Sequence, residues 1–159
     1  MKNIILCEGK TDAILLSYYL SKVCGWEFLD KKENRRFKAR LSSMKIDNAG
    51  NQNFDWYFCD NDILCIYAVG SKDNFSDALE QVAAINLQTS SEKFSKVALI
   101  SDRDDLYSES IILKAINQAF SKPNINFKNI LHNTWNESDG YESMGETYRI
   151  SILPLIIPF

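Results

Sequence analysis

The stretch KNIILCEGKTDAILLSYYLSKVCGW, residues 2–26, decides the fold. It opens with a short apolar run, Ile4 to Cys7, that stops at Glu8 and Gly9. Beyond the turn, Ile14, Leu15, Tyr18, Tyr19 and Val23 recur at helical spacing and predict an amphipathic helix. Thr11 or Asp12 can cap its start, and Gly25 can end it. The unit is strand, tight turn, helix. A carboxylate at the end of a buried strand lies at the C-terminal edge of the sheet, where open α/β folds place their sites.

The same grammar recurs downstream. KVALIS, residues 96–101, runs into the acids of DRDD, and a helix over about 108–121 stops before Pro123. Between the two acidic motifs, DWYFC and ILCIYAVG flank Asp60, Asn61 and Asp62, which predicts a β-hairpin feeding a central strand over 63–69. Gly70 ends that strand and a capped helix follows over 74–87. Strand and helix thus alternate three times. That alternation predicts an α/β fold: a mainly parallel central sheet flanked by helices and joined by right-handed crossovers.

At 159 residues the chain suits a single domain, 1–159, with its own core. Residues 26–62 read as an insertion and hairpin, with NAGNQN as a turn or loop. Residues 123–159 read as a long terminal hairpin, KNILHNTW and ETYRISILPLII around the polar NESDGYESMG, whose second strand joins the core sheet. Ending on the apolar ILPLIIPF suggests one part of a longer protein or a shortened chain.

Composition excludes several classes. Cys7, Cys24, Cys59 and Cys65 have no C-x-x-C spacing and His132 is the sole histidine, so no zinc-ribbon or thioredoxin-like pattern is present. The cysteines read as reduced core thiols of a cytoplasmic protein. The apolar stretch before Cys7 is far shorter than a signal-peptide core, and ISILPLIIPF is too short for a membrane span and interrupted by Pro154. The net charge of −3 argues against a general polyanion-binding surface. Charge is nonetheless uneven: DKKENRRFKAR, residues 30–40, carries +4, leaving −7 elsewhere. Lys31, Lys32, Arg35, Arg36, Lys38 and Arg40 are therefore candidate nucleic-acid contacts, with a solvated surface as the plain alternative.

GKT at 9–11 imitates a phosphate loop, but a Walker A motif needs glycine at position 4, which is Ile4. GxGxxG is absent as well. Glu8, Asp102 and Asp104 carry the stronger signal. Each has a structural reading as a turn or helix-start acid. Their conjunction at two strand ends favours one cluster instead. Alternate residues of an extended segment face the same way, so Asp102 and Asp104 share a side while Arg103 turns aside. A carboxylate cluster suits Mg²⁺ or Mn²⁺. Converging carboxylates also repel, which couples metal binding to pH. Lys10 and Arg103 are candidate partners of phosphate, or simple surface cations. Trp56, Tyr57 and Phe58 could stack on bases, although such strand aromatics more often enter the core.

The ordered set of Glu8, Gly9, Asp12, Ala13, Gly70, Asp102 and Asp104 resembles the TOPRIM domain of topoisomerases, bacterial primases and small nucleases. Stand-alone TOPRIM-like bacterial proteins of unassigned function are the nearest in pattern. The resemblance spans about residues 2–121. It implies a compact Rossmann-like TOPRIM fold with inserted β-hairpins and a Mg²⁺ site acting on phosphodiesters of nucleic acid. It further implies Glu8 as general acid or base, Asp102 and Asp104 (with Glu8) as metal ligands, and Asp12, Lys10, Gly70 and Asp105 as accessories. The alternative is a non-catalytic module that binds nucleotide or nucleic acid, or docks onto an ATPase partner or a further domain.

Overall fold

The structure, a computed structural model, describes residues 1–29, 53–88, 93–104 and 106–158. The basic segment 30–40, the Asn-rich loop, Asp105 and Phe159 lie outside the described residues. The elements in chain order are β1 (Lys2–Cys7), α1 (Lys10–Val23), β2 (Glu27–Phe28), β3 (Asn53–Cys59) and β4 (Asp62–Ala68). A 3₁₀ turn (Lys72–Asn74) leads into α2 (Phe75–Gln88). Then come β5 (Phe94–Asp102), α3 (Ser108–Ser121), β6 (Asn136–Glu137), β7 (Tyr141–Ser143), β8 (Glu146–Tyr148) and β9 (Ser151–Ile157).

Seven strands form one sheet in the order β2-β3-β4-β1-β5-β9-β6. The four central strands are parallel, with β1 between β4 and β5 and β9 beyond β5. β2 and β3 extend the sheet antiparallel on one side and β6 on the other. This is the mainly parallel α/β sheet expected from the alternation. Taking the core strands in chain order, their spatial order is second, first, third, fourth. The direction of winding therefore reverses between β1 and β5, and a doubly wound sheet opens its crevice at that switch point, beyond the strands' C-terminal ends.

The period-2 alternation of the strands separates two layers. Ile4 and Leu6 of β1, Cys65 and Tyr67 of β4, Val97 and Leu99 of β5 and Ile152 and Ile156 of β9 face α2 and α3. Those helices return Phe75, Leu79, Val82, Ile112, Ile116 and Phe120 to the same core. The opposite residues, Ile5, Cys7, Leu64, Ile66 and Ala68, pack with Tyr57 under Ala13, Leu16 and Leu20 of α1. Trp56 stacks on Phe94 with ring centroids 6.2 Å apart and is 2 % exposed, so it and the buried Tyr57 are core residues; only Phe58 reaches the surface.

Several expectations need correction. The helix that the large apolar residues predicted is present, but Ile14, Leu15, Tyr18, Tyr19 and Val23 are each more than half exposed. The face that packs is the smaller one of Ala13, Leu16 and Leu20. KNILHNTW forms no strand; its backbone is organised instead by the Asn136 amide, which donates to the carbonyls of Leu131 and Thr134 and accepts from the Leu131 N–H. The terminal hairpin shrinks to two residues, β6, against β9, and the polar loop makes its own small hairpin, β7–β8. Of the four free cysteines, Cys7 and Cys65 are buried but Cys24 is exposed. Among the described residues no helix is long and apolar enough to cross a membrane.

Candidate functional site

The site is built where β1, β4 and β5 end side by side. Cys7 stands opposite Ala68 on one side and Ile100 on the other, so the next residues of each strand emerge together. The chain holds β1 and β4 in step one residue further: the Gly70 N–H donates to the Glu8 carbonyl at 2.8 Å. Gly70 takes φ +95°, a conformation that a side chain would strain, where the chain leaves β4 for the 3₁₀ turn. Asn74 secures the turn by donating from Nδ2 to the Val69 carbonyl at 2.7 Å.

Glu8 is the centre of the arrangement. Its Oε1 accepts the Ser101 hydroxyl at 2.5 Å and the Asp102 backbone N–H at 3.2 Å. Ser101 is buried, so this carboxylate is anchored rather than swinging in solvent. Asp102 closes β5 half-buried, and the next N–H, of Arg103, donates to the Ile157 carbonyl of β9 at 2.9 Å. Asp104 follows with its side chain 60 % exposed.

Lys72 was not singled out by the sequence. Its ammonium lies 2.7 Å from Asp104 Oδ2 and 3.9 Å from Glu8 Oε1, and it donates to Ser108 Oγ at 3.1 Å. Only 13 % of its side chain is exposed. The available signal was its place two residues past Gly70, in the turn that ends a core strand. Ser101 and Ser108 were missed for the same reason, each standing beside an element end that the acids alone had marked.

The remaining candidates divide. Asp12 serves its own helix: its Oδ2 accepts the Gly9 N–H at 2.8 Å at the start of α1. Lys10 is exposed at the first residue of that helix. Arg103 pairs with Glu109 at the start of α3. Asp105, Lys31, Lys32, Arg35, Arg36, Lys38 and Arg40 lie outside the described residues. Cys7, directly before Glu8, has its thiol pushed up from 9.0 to about 12, first by burial and then by the Asp12 and Glu8 carboxylates.

Glu8, Asp102 and Asp104 supply hard oxygen donors at one sheet edge, the donor type that Mg²⁺ and Mn²⁺ prefer. As arranged, no three His, Cys, Asp or Glu side chains among the described residues stand close enough to hold a metal ion. The donor type suits a divalent ion, but in this arrangement the Lys72 ammonium stands against Asp104 and Glu8 and the carboxylates do not converge into a ready site.

No family model matches the chain, and no curated protein does. Among solved structures, the chain is similar to a hypothetical protein from Pyrococcus horikoshii OT3, at a TM-score of 0.61 and 17 % identity over 96 % of this chain. The match covers 54 % of that protein, so this chain spans about half its length. The similarity is one of fold. A lactoylglutathione lyase from Agrobacterium tumefaciens aligns over 97 % of this chain and 91 % of its own, but at a TM-score of 0.26 and 9 % identity it carries no argument.

Proposed function

We propose that this chain is a TOPRIM-type domain that processes phosphodiester bonds of nucleic acid with Mg²⁺ or Mn²⁺. The observation that carries the reading is the anchoring of Glu8, at the end of β1, to Ser101 and to the Asp102 backbone at the end of the neighbouring β5. Two acid-terminated strands meet at the switch point of the sheet, where such folds bind ligands.

In this reading Glu8, Asp102 and Asp104 would hold the ion. When bound, it supplies Lewis-acid polarisation of a phosphoryl oxygen and neutralises charge on the leaving oxygen. Glu8 moves a proton at its carboxylate, either taking it from the attacking hydroxyl or water or giving it to the departing oxygen. Ser101 keeps that carboxylate fixed while it does so. Lys72 places a positive charge at the same edge, where a phosphate would need one. The basic segment around Lys31 to Arg40 and a further domain or ATPase partner are the proposed sources of nucleic-acid contact and specificity.

The test is cleavage of labelled single- and double-stranded DNA and RNA in Mg²⁺ or Mn²⁺. Cleavage that falls at least about a hundredfold in both Glu8→Gln and Asp102→Asn supports the assignment. Cleavage by both variants at the wild-type rate removes it. One observation favours a second reading, a non-catalytic binding or docking module: the Lys72 ammonium already satisfies Asp104. That reading predicts no cleavage of any substrate and no divalent ion bound.

A further inference from the structure

We propose that the outward face of α1 is the contact surface of a two-fold dimer of this chain, in which the two α1 helices pack antiparallel. The proposal is independent of the metal-dependent reading above. α1 is apolar on both sides. Ala13, Leu16 and Leu20 pack toward the sheet, while Ile14, Leu15, Tyr18, Tyr19 and Val23 are between 56 % and 67 % exposed. At about 3.6 residues per turn, the second set fills the half of the helix that faces away from the first. A helix that is apolar all round belongs in an interior, and the sheet covers only one side of this one. Phe28 carries the apolar surface onto the sheet edge: it is 48 % exposed on β2 and paired with Tyr57, which packs under α1. These six side chains present roughly 600 Å², the upper end of what a monomer leaves exposed; with a polar rim they approach the roughly 800 Å² per partner of a stable interface.

Charge selects a second copy as the occupant and fixes its direction. The outward half of α1 has an acid in its first turn, Asp12, and a base in its last, Lys22, with the apolar residues between them. A surface acidic at one end and basic at the other is complementary to itself under a two-fold rotation, the requirement of an isologous interface. An antiparallel pair centred between Leu15 and Tyr19 lays each Leu15 on the partner's Tyr19 and sets each Asp12 against the partner's Lys22. The helix dipoles then oppose favourably as well. A parallel pair would set Lys22 against Lys22 and Asp12 against Asp12, which charge disfavours. Asp12 is held in place for this role, since its Oδ2 already accepts the Gly9 N–H at 2.8 Å and its other oxygen is left for the ammonium.

Sedimentation velocity of the wild type over a range of concentrations, beside Leu15→Glu/Tyr19→Glu, tests the surface. The expected result is a dimer in the wild type and, in a variant of unchanged circular dichroism, a dissociation constant raised at least about a hundredfold. A wild type that stays monomeric up to about 1 mM overturns the proposal, whether residues 30–52 of the same chain or a different protein covers the face. A dimer that the double substitution leaves intact overturns it too. A second measurement needs no variant: carbodiimide cross-linking of mixed isotopically heavy and light wild type, read by mass spectrometry. An amide between Asp12 of one copy and Lys22 of the other is expected with one label of each kind; within a single helix the two residues are held about 15 Å apart. Absence of that mixed-label link overturns the antiparallel packing even if the double variant does not fold.

Discussion

The backbone N–H of Asp102 donates to the Glu8 carboxylate at 3.2 Å across 94 residues of sequence, joining the ends of two parallel neighbours in the central sheet. The Ser101 hydroxyl completes the same anchor. A hydrogen bond to a charged group contributes about 1.5–3 kcal/mol, so Ser101→Ala should lower the unfolding free energy by about 2 kcal/mol. Urea unfolding followed by circular dichroism checks this. An unchanged midpoint would mean that the contact carries no stability.

Gly70 is the turn that aligns β4 with Glu8. At φ +95° a Cβ is strained, and the one added there would meet Asn74 Nδ2 at 3.4 Å. Gly70→Ala should cost about 1–2 kcal/mol. The same substitution should weaken divalent binding, because the Gly70 N–H holds the Glu8 carbonyl. Thermal melts and metal titration of the one variant read both effects.

Asn86 separates fold from site. It is fully buried in α2, where its side chain accepts the Phe94 N–H at 2.8 Å and donates to the Phe94 carbonyl at 2.9 Å, at the end of β5 remote from the acids. Asn86→Ala leaves both backbone groups unpaired and should cost about 2–4 kcal/mol. Metal affinity of the folded fraction should stay at the wild-type value. A loss of metal binding at full folding would show that the two ends of β5 are coupled.

Cys7 gives a pH signature. Its thiol is raised from 9.0 to about 12 by burial, then by Asp12 and Glu8, so the folded state favours the protonated form. That contribution is fully present below pH 9 and is lost as pH rises through about 12. The stability difference between wild type and Cys7→Ala should therefore shrink over that window. Near neutral pH, iodoacetamide should label exposed Cys24 while sparing Cys7, as read by mass spectrometry. Equal labelling of both in the folded protein would contradict the burial.

Much of the architecture was legible because it depends on local signals. The Asp60-Asn61 turn does join β3 to β4, with Asp60 at φ 51° and Cys59 paired to Asp62. Gly25 does end α1, at φ 73°, with the Trp26 N–H donating back to the Leu20 carbonyl. The face of α1 was misread because size and hydrophobicity do not say which side meets the sheet; Ala13 lets the helix lie close, and Leu16 and Leu20 follow from it. KNILHNTW alternates enough to resemble a strand, yet the Asn136 side chain takes the backbone groups that pairing would need. At the site, acids announce themselves by charge and position. Lys72 could not, because its meeting with Asp104 spans 32 residues and exists only once β4 and β5 flank β1.

The proposed function requires the two acid-terminated strands to form one divalent-ion site. Titration of Mn²⁺ into the wild type and into Asp102→Asn/Asp104→Asn, followed by the paramagnetic signal of the free ion, tests it most directly. The expected result is a saturable site in the wild type and its loss in the folded double variant. Identical binding curves for the two proteins, or no binding to either, would contradict it.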